Sequence, residues 1–409
     1  ADGRFAFNCP TKAATLRVSM LGYRNETVKL VPGRTDYDIR LREAPSDVGE
    51  VVVTGFVDKK RESYTGATHV IQRQEIENMV HTNVLNIIQL QTPGFEIFDD
   101  IANGSDPNKI PDMVLRGRSS FIEGDQTNVP LFILDGTEVD ISYVFDMPSD
   151  DIESISVLKD ASATSFYGSK AANGVVVITT RPTQAGRLQV NYSGNFQVSI
   201  PDLSDYRLLN AREKLEYERQ AGVYGDFTGS NNTDVTNQKS YYEKLDRVNA
   251  GVNTDWKRMA LRTGFNHIHN LMLSGGSQDF RYNVSGSYNS TTGVMDESDK
   301  QTASLRINLT YGDMNKLFFQ NIASLTQSDS NDVPYGSFSD YVSLNPYDRP
   351  YNDDGSLNSV LSFNTANPLY EKSLSSYIRN TSGSFIDTFR VRWNILKGLR
   401  VEASLSYTQ

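Results

Sequence analysis

From residue 186 onward, apolar and polar residues alternate strictly along the chain. Leu188, Val190, Tyr192, Gly194, Phe196 and Val198 fall on one face of an extended strand, and Gln189, Asn191, Ser193, Asn195 and Gln197 on the other. The same division recurs at Phe280, Tyr282, Val284, Gly286 and Tyr288 against Arg281, Asn283, Ser285, Ser287 and Asn289. It returns at Ala303, Leu305, Ile307, Leu309 and Tyr311 against Ser304, Arg306, Asn308 and Thr310, and at Leu399, Val401, Ala403, Leu405 and Tyr407 against Arg400, Glu402, Ser404, Ser406 and Thr408. Weaker alternation near 267–275, 316–327 and 384–395 brings the expected strands to seven. One apolar face and one polar face suit a soluble sandwich with a wet side as well as a barrel in a membrane. The connections separate the two. They run long (about 199–266), short (276–278), medium (290–300), short (312–315), long (about 328–383) and short (396–398), so every long loop lies at one end of the sheet. With apolar faces ending in Tyr, Phe or Trp393, this asymmetry predicts an antiparallel outer-membrane β-barrel with short periplasmic turns and long extracellular loops. A barrel wide enough to hold a folded domain takes about 22 strands, so the seven here are expected to be part of a larger one.

Before residue 186 the period changes. Residues 65–185 read as a mixed α/β globule. A strand over Ala67 to Gln72 precedes a helix capped by Thr82 or Asn83, running through Leu85, Ile88 and Leu90 and stopped by Pro93-Gly94. Further strands are expected at Phe95 to Phe98, Met113 to Arg116 and Leu131 to Leu134, the last closed by an Asp135-Gly136 turn. Residues 150–180 join an acidic lead-in, a small-residue turn region and a buried strand. Asp160 can cap a helical turn through Ala161 to Phe166, Gly168 can end it with a positive φ, and Gly174 can bend the chain into Val175 to Thr180. Residues 1–42 read as short strands at Arg4 to Phe7, Thr15 to Met20, Glu26 to Leu30 and Tyr37 to Leu41. Between them and the globule, residues 43–64 form a charged linker interrupted by the β-prone run Glu50-Val51-Val52-Val53-Thr54-Gly55-Phe56. Such a run is an aggregation liability unless it is buried or kept to pair with another chain.

Composition narrows the class. The apolar share of 38%, with 21 Tyr, 19 Phe and 29 Gly, suits twisted strands and polar loops better than helix bundles. A net charge of −10 spread along the chain gives no basic face for nucleic acid. Cys9 is the single cysteine, so no intrachain disulfide can form. No run of 18 apolar residues offers a membrane-spanning helix, which leaves a membrane β-barrel open. Apparent chemical sites fail on spacing. Gly168 to Gly174 lacks the spacing and following helix of a phosphate loop. His267 and His269 share a strand face with Leu271 and Leu273 and have no third ligand beside them, which fits interfacial histidines better than a metal site. Asp353-Asp354-Gly355 has Pro350 and Leu361 where a calcium loop needs carboxylates, and reads as a turn. With no readable acid/base pair, no enzyme, metal or cofactor is expected.

The block DDIESISVLKDASATSFYGSKAANGVVVITT resembles the plug signature of the SusC/RagA family of TonB-dependent outer-membrane transporters. TPGFEI, VLRGRSS and PLFILDG resemble its other plug motifs in order and spacing, and DGRFAF, ATLRVSMLGY, ETVKL and YDIRL resemble the end of a carboxypeptidase regulatory-like β-sandwich. In that family EVVVTG occupies the TonB box. The resemblance implies four parts: 1–42, the end of the sandwich; 43–64, the linker with its box; 65–185, the plug; and 186–409, the first barrel strands and loops. It implies TonB-dependent import of glycans or peptides across the outer membrane of a Gram-negative, Bacteroidota-like cell, with the amino-terminal domain in the periplasm. A SusD-like surface lipoprotein would cap the barrel, and TonB with its inner-membrane complex would pair with Glu50, Val51, Val52, Val53, Thr54 and Gly55. Substrate contacts are expected in polar plug loops at Asp99, Asp100, Asn103, Ser119, Ser120 and Phe121. Tyr335 and Tyr341, in an aromatic-rich outer loop, could stack on sugars or form that loop's own core. A receptor acting mainly in signalling and a soluble glycan-binding or adhesive β-protein remain as alternatives.

Overall fold

The computed structural model describes residues 68–409 apart from 80–82, 99–105, 116–128, 160–164, 205, 226–231 and 397–398, together with 14–18, 26–30, 51–53, 58–60, Tyr37 and Ile39. Near the amino terminus, β1 (Ala14–Val18) and β2 (Glu26–Leu30) pair antiparallel, with Ala14 opposite Leu30. Tyr37 and Ile39 lie outside any strand, and the expected strand from Arg4 to Phe7 falls outside the described residues. β3 (Val51–Val53) and β4 (Asp58–Lys60) form a second small pair, Val51 opposite Lys60.

A five-stranded sheet organises the globule that follows. Its strands are β5 (Thr68–Gln72), β8 (Leu131–Leu134), β9 (Thr137–Val139), β10 (Ile152–Leu158) and β11 (Val175–Thr180), in the order β5-β10-β11-β8-β9. β6 (Phe95–Ile97) and β7 (Met113–Leu115) pair beside it. β11 is central, antiparallel to β10 and parallel to β8, and is apolar on both faces for that reason. Val176 and Ile178 enter one core with Ile71, Leu85, Ile88, Phe132 and Ile155, while Val175 and Val177 enter a second with Val70, Ile133 and Leu158. The helix Val84–Gln91 covers the first core. Asn83 starts it by accepting a hydrogen bond from the Asn86 amide at 2.8 Å, and Val84, Leu85, Ile87 and Ile88 are buried, each worth about 1.5–3 kcal/mol of removed apolar surface. A second helix, Ile141–Asp146, is capped by Asp140 and was not evident from periodicity, being under two turns long. Gly174 enters β11 with φ of 94°, and a Cβ there would lie 2.5 Å from Leu115 Cδ2. Only glycine satisfies both constraints.

Seven consecutive antiparallel strands form the large sheet: β12 (Gly186–Ser199), β13 (Gly264–Gly276), β14 (Phe280–Thr292), β15 (Asp299–Asp313), β16 (Leu317–Asp332), β17 (Ile378–Leu396) and β18 (Leu399–Thr408). Short and long connections alternate as the sequence pattern requires. The outer face keeps its apolar residues in the open, with Val190, Tyr192 and Phe196 at 60–64% exposure. A contiguous exposed apolar band of this kind marks contact with lipid rather than water. The inner, polar face is not open to water throughout. Where the globule sits against it, Ser285, Thr302, Arg306, Asn308, Thr310, Ser324 and Thr388 are all buried, and Ile386 joins the globule's own core.

The long loops fold into a layer of their own. The helix Ala211–Gln220 lies within the helical stretch expected at Leu208 to Ala221. An 18-residue helix, Asn232–Asn249, was not foreseen because its single apolar stripe, Tyr241, Leu245 and Val248, is sparse among polar residues. Tyr335, Phe338 and Tyr341 pack with Trp256, Ala260, Met295 and Leu361. Of the two readings open for Tyr335 and Tyr341, the rings belong to the loop core: Tyr341 is 1% exposed and cannot offer a face to a sugar.

Candidate functional site

The contact between globule and large sheet is built around one hairpin turn. Asp135 and Gly136 connect β8 to β9 with φ of 47° and 86°, the left-handed pair that an Asp-Gly hairpin turn requires. That turn aims the Asp135 carboxylate at the sheet. It accepts from the Thr180 amide at 3.0 Å and from Thr180 Oγ1 at 2.7 Å, and it forms an ion pair with Arg306 on β15. Arg306 also donates to Thr180 Oγ1 at 3.1 Å and to Ser324 Oγ at 2.9 Å, while Arg390 on β17 donates to the main-chain oxygen of Asp135. Around this centre, Thr137 Oγ1 lies 3.1 Å from Thr388 Oγ1 and 2.6 Å from Ser406 Oγ, and Thr183 Oγ1 donates to Thr310 at 2.8 Å. Most of these groups are paired, as burying a polar surface requires, although Arg306 Nε has no hydrogen-bond partner among the described residues.

The contact continues towards the long-loop end. Lys300 meets Asp146 at 2.6 Å. Ser298 donates to Asp106 at 2.8 Å, and Asn108 donates to the Asn331 carbonyl and to Asp332, both at 2.8 Å. Burial pushes the Asp146 carboxyl above its ordinary range, with Lys300 pulling the other way. Asp151, at the start of β10, is raised by burial as well, against the opposing pull of Arg306 and a hydrogen bond from Ser285. Among the described residues its Oδ1 has no hydrogen-bond partner. A carboxylate in that position is destabilised unless protonated.

The expected site residues fall into three groups. Val51, Val52 and Val53 are strand residues paired with Lys60, Lys59 and Asp58, so the β-prone run has a partner within its own chain, while Glu50, Thr54 and Gly55 lie outside the described residues. Asp99, Asp100, Asn103, Ser119, Ser120 and Phe121 also lie outside them. Tyr335 and Tyr341 are core residues, as above. His267 and His269 stand in an outward aromatic cluster: their rings are 5.2 Å apart, and His269 also lies 5.6 Å from Phe196 and accepts or donates to the Tyr192 hydroxyl at 2.7 Å. The docking residues Asp135, Thr180, Arg306 and Arg390 went unrecognised in the sequence. The available signal was Arg306 itself, a cation on the inner face of a strand whose neighbours there are uncharged.

Comparison with known proteins agrees with this architecture. Residues 60–175 match the family model described as TonB-dependent Receptor Plug Domain. The chain is 28% identical over 316 residues to the TonB-dependent receptor SusC of Bacteroides thetaiotaomicron, covering 75% of this chain and 28% of that protein. A TonB-dependent receptor of Formosa agariphila is 28% identical over 380 residues, covering 90% of this chain and 36% of the relative. Among solved structures, the RagAB peptide importer in its open-open state superposes with a TM-score of 0.68 at 22% identity, over 88% of this chain and 42% of that one, a likeness of fold. The family model and these relatives are all of TonB-dependent receptors, and that is the class this chain is similar to. Within that class, the likeness to SusC in sequence and to the RagAB importer in fold makes this chain similar to the SusC/RagA family. It spans about a third of the length of these curated relatives.

Proposed function

We propose that the protein imports oligomeric nutrients, glycans or peptides, across the outer membrane by TonB-dependent active transport. The docked plug supports this reading most directly: Asp135 and Arg306 hold a folded domain against the inside of a lipid-facing sheet, where it blocks passage until it is moved. In this reading residues 1–42 close a periplasmic sandwich, 43–64 carry the TonB box, 65–185 form the plug and 186–409 begin the barrel. Ligand held at the outer face of the plug shifts its equilibrium so that the segment Glu50 to Gly55 becomes available in the periplasm. TonB, energised from the inner membrane, adds a strand to that segment and pulls. A SusD-like surface lipoprotein closes the barrel from outside and delivers the oligomer. The segments holding Asp99, Asp100, Asn103, Ser119, Ser120 and Phe121 supply substrate contacts.

Deleting Glu50 to Gly55 tests the reading. Energised uptake should be lost while ligand binding by the purified receptor is retained, and uptake that survives the deletion would overturn it.

A further inference from the structure

In the loop layer, a cavity of about 310 Å³ opens between the Asn232–Asn249 helix and residues 348–363. Its wall carries three cations, Lys244, Arg247 and Arg349, and two carboxylates, Glu243 and Asp348. Asp348 is already engaged, accepting from Arg247 at 3.3 Å and from the Ser362 hydroxyl at 2.5 Å. Arg349 pairs at 2.9 Å with Asp353, which is almost fully solvated, so the pair is weak and the guanidinium can be shared.

Lys244 is the unusual member. It is 4% exposed, yet among the described residues its ammonium makes one hydrogen bond, to the Tyr224 hydroxyl at 3.1 Å. Three rings surround it instead, with the centroid of Phe363 at 3.8 Å, Tyr224 at 4.9 Å and Tyr347 at 5.2 Å. The neighbouring Glu218 accepts from the Tyr224 hydroxyl at 2.6 Å and the Tyr347 hydroxyl at 3.0 Å, and pairs with Lys214 at 3.4 Å. Burial accordingly pushes the Lys244 pKa down, which means that its charge is incompletely compensated. Phe363 holds its ring over the ammonium from a left-handed backbone, φ of 60° and ψ of 27°, followed by Asn364 at φ of 58°. Bulky L-residues avoid that region, and such conformations concentrate at binding and switching segments.

We infer that this cavity takes an anionic group of an oligomeric ligand, a carboxylate or sulfate, which replaces the Phe363 ring over Lys244 and shares Arg349. An anion supplies what the ring supplies only weakly, full charge and acceptors for the free ammonium protons. The volume lies at the low end of ordinary small-molecule sites, about 300–1,000 Å³, and fits one sugar or amino-acid residue rather than a whole oligomer. The inference rests on the import reading for the source of the ligand, but binding is measured without TonB.

The test is calorimetry on the full-length receptor in detergent with two matched probe pairs: a uronic-acid trisaccharide against a neutral hexose trisaccharide, and an acidic tripeptide against its amidated neutral counterpart. The charged member of at least one pair should bind about tenfold tighter or better, with the preference falling as salt rises. Lys244→Met should remove the preference. Arg349→Gln, at the rim and without a buried partner, should weaken it several-fold in a protein that folds normally. Which pair responds tells glycan from peptide. Equal binding of charged and neutral members, no binding by any probe, or a preference unchanged in Arg349→Gln would overturn the assignment. A receptor that keeps the charged preference but does not import would count against the import reading alone.

Discussion

Arg306, on a barrel strand, and Asp135, at a plug turn 171 residues earlier, form an ion pair in which each side chain is only 9% exposed. Removing one partner leaves the other charged in a dry interface, which costs about 3–5 kcal/mol. Arg306→Ala and Asp135→Ala should each loosen the plug and give large spontaneous conductances in planar bilayers. The double variant should recover part of the loss, since neither charge is then stranded. Independent, additive effects would show that the pair does not hold the plug.

Gly174 should tolerate no side chain. Alanine there must adopt φ near 94° and meets Leu115 at 2.5 Å, so Gly174→Ala is expected to cost about 1–3 kcal/mol. Limited proteolysis would report it as faster cleavage within the plug while the barrel stays resistant.

Asp151 makes stability depend on pH in a stated direction. Its folded pKa is raised above the ordinary 3.8, so its stabilising contribution is complete below the unfolded pKa and is lost as pH rises through the folded one. Asp151→Asn, neutral throughout, should therefore melt higher than the wild type at about pH 7, with the difference vanishing below pH 3.8. A lower melting temperature at neutral pH would mean that the carboxylate is needed as an ion.

The outward face is tested by contrast across one strand. Val190, 60% exposed on the apolar face of β12, should accept arginine only at a cost of about 2–4 kcal/mol in a bilayer. Asn191→Arg, one residue along and on the other face, should cost far less. Urea titration of both variants in lipid vesicles measures the difference, and equal costs would argue against a lipid-facing surface.

Much of this fold is legible because period and position carry it. Alternation at Leu188 to Val198 and its repeats placed the strands, the spacing of turns oriented them, and Asn83, Pro93-Gly94 and Asp135-Gly136 marked boundaries in the plug that the structure keeps. The Asn232–Asn249 helix escaped because Tyr241, Leu245 and Val248 make a faint stripe among polar residues. Tyr335 and Tyr341 illustrate a different limit. An aromatic loop reads the same whether its rings wait for a ligand or bury one another, and only the packing against Trp256 and Met295 distinguishes the two.

The sequence by itself determined the strand faces, the direction of the sheet and the plug elements, since each follows from interactions between residues a few positions apart. Tertiary structure alone decided which polar residues of the inner face stay wet and which are buried against the plug. It also brought Asp135 to Arg306 and set Lys244 among Tyr224, Tyr347 and Phe363. Those pairings join residues far apart in the chain, and neither period nor propensity records a distance across the fold. Their cost or benefit depends on burial, a property that the chain acquires only when it folds.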